Sequence, residues 1–290
     1  MTLVRWVVLA LAALAGASAA GAHSFDRGRL FRVDRVGLAP SFVLATLHTS
    51  DQRVLALPAA VIAALDGCRT AAFETLLADG DAGAFAEAAR DTGGRRLSDD
   101  LDTTAWSALR DALGEDAPEP AVLDAMKPWA ALLLLAQSRA GGLALDGMLK
   151  ARAAARRLSV IGLEMPDEQV AALDAVPLES QLALLRWAVA TRDARGRELE
   201  ATTQAWLAGD LARLRALALY PASARPVDRA HFAALYRRLI TDRNASMAHR
   251  LHLPLARGRV FVAVGALHLH GRDGLLALIQ RQGYRITRVL

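Results

Sequence analysis

RVFVAVGALHLHGRDGLLALIQRQGY, Arg259 to Tyr284, reads as an apolar strand, a glycine, two histidines one residue apart, a polar turn and a helix. The run from Phe261 to Val264 has no polar alternation, as expected of a strand covered on both faces. SFVLATLHTSDQRVLALPAAVIAAL, Ser41 to Leu65, repeats the grammar: strand, small residue, two further residues, a histidine, a polar turn and a helix. Two such strand-to-helix units argue for an α/β fold. Each puts a histidine, His48 or His268, at the carboxyl end of its strand, where open α/β sheets gather their functional groups. The two converge if the strands are neighbours.

Outward from these units, LFRVDR pairs with SFVLATLH as a hairpin broken at Gly37 and Pro40. RTAAFETL is a strand bearing Glu74 near its end, Leu158 to Leu163 is a strand ending at Glu164, and RITRVL closes the chain as an edge strand. Pro58 near a first helical position opens a helix that stops near Gly67. Residues 82–148 are mostly helical, with breaks at Gly93-Gly94 and around Pro118 and Pro120, and read as a helical insertion. After Pro166 helices resume, with LESQLALLRWAVATRDARGRELEATTQAWLAG and VDRAHFAALYRRLITDRNASMAHRL each read as one helical stretch. The expected architecture is one mixed α/β domain over residues 23–290. Its central mixed sheet has strands near Phe42, Ala72, Val160, Val262 and Ile286. Helices flank the sheet, and a large helical cap drawn from the middle of the chain limits access to the strand ends.

Over half of the 290 residues are apolar, enough for a sizeable core. The net charge of +5 is scattered, and only Lys127 and Lys150 are lysines. Arg152, Arg156 and Arg157 stand at helical spacing as a solvated face, so no nucleic-acid partner is expected. MTLVRWVVLALAALAGASAAGAH has Arg5 in a short n-region, an apolar run from Trp6 to Ala15 and then small residues, the pattern of a secretory signal peptide over residues 1–22. The run is shorter than the ~20 residues that span a bilayer, so no stable membrane span is expected after signal cleavage. The destination implied is secreted or periplasmic, in a Gram-negative bacterium. Cys68 is the only cysteine, so no internal disulfide forms, and it reads as a small buried hydrophobe.

The chain has no G-x-S-x-G elbow, Walker loop, G-x-G-x-x-G or H-E-x-x-H helix. Chemistry would have to come from His48, Glu74, Glu164 and His268, the imidazoles and carboxylates at strand ends. Neutral imidazole and ionised carboxylate suit a transition metal that acidifies a bound water, although on spacing alone a histidine at a strand end is more often a packed structural residue. His249 and His252 share a solvated helix face, and His231 needs no special role. His23 would chelate copper only if cleavage made it the N-terminus. His270 stands two residues beyond His268 as a supporting or surface group.

FVLATLH with DQRVLALP behind it, AAFE, ALDGMLKARA, VIGLE with the DEQ that follows, WLAGD, DRNASMA and VAVGALHLHGRDGLLALIQRQGY form an ordered series of blocks. From about Leu38 to Leu290 they resemble the TraB/GumN family, related to the TIKI metalloproteases and more distantly to erythromycin-esterase-like and ChaN-like proteins. The resemblance implies a pair of G-x-x-H motifs and a glutamate in one pocket. The second motif is Gly265-Ala266-Leu267-His268, in which Gly265 lets the backbone turn so that His268 faces the pocket. The first is Ala45-Thr46-Leu47-His48, with Ala where Gly is usual. If that Gly serves a positive φ, Ala is strained by about 1 kcal/mol; if it serves a close approach, the methyl intrudes. His48, Glu74 and His268 would then hold a divalent metal ion, Mn, Co or Zn, with Glu74 as ligand or general base. Arg243 and Asn244 match the family's Arg-Asn pair as catalytic groups, Arg243 either stabilising an oxyanion or pairing with Glu74 or Glu164. Glu164 would contact substrate, and Asp146 lies in a matching block. The implied activity is a metal-dependent hydrolase, TIKI-like and acting on a peptide or ester substrate. A metal-free esterase-like hydrolase and a non-catalytic envelope or polysaccharide accessory protein stay open.

Overall fold

A computed structural model describes residues 25–76, 81–136 and 144–290. The signal-peptide reading over residues 1–22 and the copper reading of His23 lie outside the described residues. Six strands are formed: β1 Leu30–Asp34, β2 Ser41–Thr46, β3 Thr70–Thr75, β4 Ser159–Glu164, β5 Val260–Gly265 and β6 Arg285–Arg288. They make one sheet in the order β4-β3-β5-β2-β1-β6. The first four in that order are parallel, while β1 runs antiparallel to β2 and to β6. This is the expected mixed sheet, and β2 and β5 are neighbours, with Thr46 opposite Gly265.

Burial explains why the apolar runs were strands. Phe261, Val262, Ala263 and Val264 are fully buried in β5, as are Ala71 and Ala72 in β3. A strand with elements on both faces has no side that water selects for polarity. At the sheet edge β6 is largely exposed and carries Arg285 and Arg288, charges that discourage pairing with another chain.

The helices that matter for the site are α1 Ala59–Asp66, α2 Leu145–Ala155, α3 Leu178–Ala190, α4 Arg195–Leu207, α5 Leu211–Leu219, α6 Arg229–Tyr236, α7 Asp242–Arg257 and α8 Leu275–Arg281. Helix α7 buries Asn244, Met247, Ala248, Leu251 and Leu255, the stripe an amphipathic helix turns to a core. Leu251 and Leu255 join Phe31, Phe73 and Phe261 in the main core, and Leu251→Ala would cost about 2–5 kcal/mol through the cavity it leaves. The helix stops at Gly258, where φ is 69° and a Cβ would sit 2.7 Å from the Ala39 carbonyl oxygen. No helix among the described residues is long and apolar enough to cross a membrane.

Two stretches read as single helices are interrupted. A 3-10 turn, Arg192–Ala194, divides α3 from α4. A π-helical turn, Arg237–Thr241, joins α6 to α7, with the Asp242 N–H bonded to the Arg237 carbonyl. Periodicity continues across both, which is why the sequence hides them; π turns recur at functional sites. The described part of residues 82–148 packs mainly into a separate apolar cluster with Leu185 and Val189 of α3, through Leu97, Leu109 and Leu123.

Candidate active site

Four neighbouring parallel strands end in or just before a polar group: Glu164 on β4, Glu74 on β3, His268 after β5 and His48 after β2. Glu74, His268 and His48 come together around Gly265. A Cβ built on Gly265 would lie 2.9 Å from Glu74 Oε1, 3.7 Å from His268 Cδ2 and 3.9 Å from His48 Nε2. Gly265 has φ −52° and ψ 136°, conformations open to any residue. The expectation that it supplies a turn is therefore replaced by another requirement, room for the carboxylate. Its N–H donates to Glu74 Oε1 at 2.6 Å, a contact that a side chain would obstruct.

The departure in the first motif has no such consequence. Ala45 lies inside β2, pairs with Val264 and is fully buried in the core, and it is not among the positive-φ residues. Its N–H donates to the Arg29 carbonyl at 2.8 Å and its carbonyl accepts from Trp206 Nε1 at 3.1 Å. The methyl is core packing, without strain or intrusion on the site.

His268 is 2% exposed. Asn244 Nδ2 donates to the Asp273 carbonyl at 2.8 Å, so Oδ1 is the atom that faces His268 Nδ1 at 2.7 Å. Nδ1 must then carry the proton, which leaves the Nε2 lone pair directed to Glu74 Oε1, 3.8 Å away. Burial lowers the imidazole pKa to about 4 despite the attraction of Glu74, with Arg243 and His48 adding to the decrease. At neutral pH this ring is a neutral acceptor.

His48 is held differently. Its side chain is 65% exposed and its Nδ1 lies 2.9 Å from Asp146 Oδ2, on α2, whose Oδ1 accepts from Thr46 Oγ1 at 2.9 Å. The Asp146 hydrogen bond outweighs the desolvation of the ring and raises its pKa to about 9. Burial alone would raise the Asp146 carboxyl, but His48 and Thr46 hold it below the usual carboxylate range.

Arg243, 14% exposed, joins the two glutamates. Its Nε donates to Glu164 Oε1 at 2.8 Å, its Nη2 bridges Glu164 Oε2 and Glu74 Oε2, the latter at 3.3 Å, and its Nη1 donates to the Leu239 carbonyl at 2.7 Å. Every nitrogen of the guanidinium is engaged, an arrangement that serves ion pairing more directly than oxyanion binding. Burial pushes the Glu74 carboxyl up, yet His268, His48, Arg243 and the Gly265 N–H together bring it below its ordinary value. With His268 neutral, His48, Arg243 and the Gly265 N–H are what persist of that effect near pH 7. Lys150, which the sequence reading used only as a rarity among arginines, donates Nζ to the Thr75 carbonyl at 2.7 Å and lies 5.6 Å over the Phe73 ring. It adds positive charge near His48.

His270 Nε2 meets Asp26 Oδ1 at 2.9 Å, away from the cluster, and His231 Nδ1 meets Ser180 Oγ at 3.1 Å. His249 and His252 are exposed on α7. Cys68 is buried, and desolvation pushes its thiol up to about 12.

The donor set suits a borderline divalent ion: two imidazole nitrogens and a carboxylate, each imidazole fixed through its other nitrogen by an oxygen acceptor. The 3.8 Å between His268 Nε2 and Glu74 Oε1 is a span that two ligands ~2.0–2.2 Å from one ion can make. Among the described residues, no three His, Cys, Asp or Glu side chains are already drawn in to ligand distance of one point. Above the cluster lies a cavity of about 410 Å³, walled by α4, α5 and the π turn. Its cover therefore comes from later in the chain than the middle helices the sequence suggested.

A parallel sheet with a polar cluster at its carboxyl ends, beneath a helical cover, places the molecule among the α/β proteins that build their pockets at strand ends. A sequence model of the TraB/PrgY/gumN family matches residues 30–288, and the chain belongs to that family. No curated protein and no solved structure matches it.

Proposed function

We propose that this chain is a metal-dependent hydrolase of peptide or ester carbonyls, acting outside the cytoplasm, with His48, Glu74 and His268 as the residues that would hold a divalent ion such as Mn, Co or Zn. The observation that carries the reading is the convergence of those three side chains around Gly265. When bound, such an ion lowers the pKa of water and polarises a carbonyl oxygen.

The chain's own residues have separable tasks. Asn244 keeps the His268 lone pair turned to the pocket, and Asp146 holds His48 through Nδ1, so that Nε2 is the atom that would give up its proton to a bound ion. Gly265 and Arg243 keep Glu74 anionic, as a base for water needs to be. Arg243 also fastens Glu164 to Glu74, so Glu164 supports the base. The relation of the TraB/GumN family to the TIKI metalloproteases favours a peptide substrate, and the signal-like residues 1–22 favour a periplasmic or secreted location. A metal-free mechanism is favoured by one observation: Glu74 Oε1 and His268 Nε2 stand 3.8 Å apart, a gap one water can bridge.

The test is hydrolysis of mixed peptide and ester libraries by the purified chain with added Mn, Co or Zn. Turnover should be lost on chelation, return with metal, and fall about 10²–10⁴-fold in Glu74→Gln. Turnover that survives exhaustive chelation would establish the metal-free route, and turnover indifferent to Glu74→Gln would exclude this pocket.

A further inference from the structure

The walls above the polar cluster are mostly hydrocarbon. Leu214 and Leu217 of α5, Leu239 and Ile240 of the π turn, and Leu267 stand between the His48, Glu74 and His268 floor and the rim at Arg195 and Glu198. Leu239 also lines a second cavity, of about 240 Å³, formed by such residues as Leu133, Leu173, Leu184 and Phe232. The polar groups lining that second cavity are the Trp129 and Trp187 indoles and Gln181: Trp129 Nε1 donates to Asp174 Oδ1 at 2.7 Å, Trp187 Nε1 is buried without a hydrogen-bond partner among the described residues, and Gln181 uses both its ends. Its Nε2 donates to the Val176 carbonyl at 2.7 Å and its Oε1 accepts from the Trp129 N–H at 3.2 Å.

A peptide backbone entering this space would lose its water partners and find a single donor, Trp187 Nε1, and no free acceptor in exchange. A methylene chain needs no partner there, and each buried CH₂ is favoured about fourfold. The first cavity alone has the size of a small-molecule site, ~300–1,000 Å³, and Leu239 is the one residue that lines both cavities, the partition a longer ligand would have to turn aside. The Leu239 carbonyl accepts from Arg243, so its backbone is fixed while its side chain faces both spaces.

We infer that the substrate carries an unbranched hydrocarbon acyl chain, which lies in the first cavity and passes Leu239 into the second. For its chemistry this rests on the hydrolase reading above. Water adds its hydroxyl to the acyl carbon, the acyl C–O or C–N bond breaks, and the proton goes to the leaving alcohol or amine. No electrons are exchanged with a co-reactant. Leu239 acts as the length gauge: chains that stop before it use one cavity, and longer ones use both.

The probes are butanoyl, octanoyl and dodecanoyl p-nitroanilides and p-nitrophenyl esters, together with a fluorescent dodecanoic acid analogue. With the whole chain, kcat/KM should rise from butanoyl to dodecanoyl by more than about tenfold. Leu133→Trp, which fills the second cavity, and Leu239→Trp, which blocks its mouth, should each collapse the dodecanoyl-to-butanoyl ratio to that of octanoyl. Reading the ratio cancels any general loss of folded protein. A flat chain-length profile in the parent chain, or an unchanged ratio in both variants, would overturn the inference. Binding separates it from the hydrolase reading. If no substrate is cleaved, saturable binding of the analogue to His268→Ala, displaced better by dodecanoate than by octanoate and with that preference lost in Leu133→Trp, supports the chain site while the hydrolase reading fails. Absence of saturable binding overturns the chain site.

Discussion

His48 and His268 end neighbouring parallel strands in nearly the same local sequence, yet their surroundings are opposite. His268 is buried, held by a neutral amide and kept neutral, with a pKa near 4. His48 is 65% exposed, held by a carboxylate and drawn toward the charged form, with a pKa near 9. A shared strand-end grammar sets where a histidine stands. Its protonation is set by burial at His268 and by the Asp146 hydrogen bond at His48, and the group that holds each ring, Asn244 on α7 or Asp146 on α2, comes from a distant helix. The two small residues that open the motifs differ in the same way, since Gly265 makes room for a carboxylate and Ala45 fills core.

The largest effect expected from breaking this comparison is at those small residues. Gly265→Ala puts a methyl 2.9 Å from Glu74 Oε1, so the carboxylate must move, and displacements of that order cost about 10²-fold in turnover. Ala45→Gly, which restores the family's usual residue, should leave turnover near that of the parent and lower stability by about 1 kcal/mol. Steady-state kinetics and urea unfolding check both; equal losses in the two variants would erase the distinction.

Next come the supporting groups. Asn244→Ala leaves the buried His268 N–H without its acceptor, at about 1–3 kcal/mol. Asp146→Asn, which keeps an acceptor for the buried Thr46 hydroxyl, should cost under about 1 kcal/mol, because solvent reaches the exposed His48 ring. Urea unfolding of the two variants gives the order, and Asp146→Asn proving the more damaging would reverse the comparison.

A smaller effect lies in pH. The folded pKa of His268 is depressed from 6.5 to about 4, so its contribution is present above 6.5 and lost as pH falls toward 4, because the unfolded chain takes the proton first. At His48 the folded pKa is raised from 6.5 to about 9, so its contribution is present below 6.5 and lost as pH rises through 9; solvent around the ring keeps it small. Imidazole NMR titration of the chain should give one ring near each value. Asp146→Asn should bring the upper one down and leave the lower in place.

Much of the frame was legible. β5 and β2 announced themselves because strands buried on both faces carry uninterrupted apolar runs, and the repeated strand-to-histidine pattern put both rings at one edge. The rest depended on partners that local sequence does not specify. Asn244 stands 24 positions from His268, and Asp146 about a hundred from Thr46 and His48, so their hydrogen bonds exist only once α7 and α2 have packed. Gly265 was read as a turn because a glycine after a strand usually marks one, and its role in clearing space for Glu74 becomes visible only beside β3. The cover was sought among residues 82–148 because periodicity shows that a segment is helical without showing what it packs on. Lys150 had one faint signal, a lysine in a chain that otherwise uses arginine almost throughout.

The central claim is that His48, Glu74 and His268 act together on one divalent ion. Metal analysis of the whole chain after dialysis against Zn or Mn tests it most directly, beside His268→Ala and His48→Ala of confirmed fold. The account predicts about one ion per chain in the parent and loss of that ion in both variants. Stoichiometric metal retained by both variants, or none taken up by the parent, would contradict it.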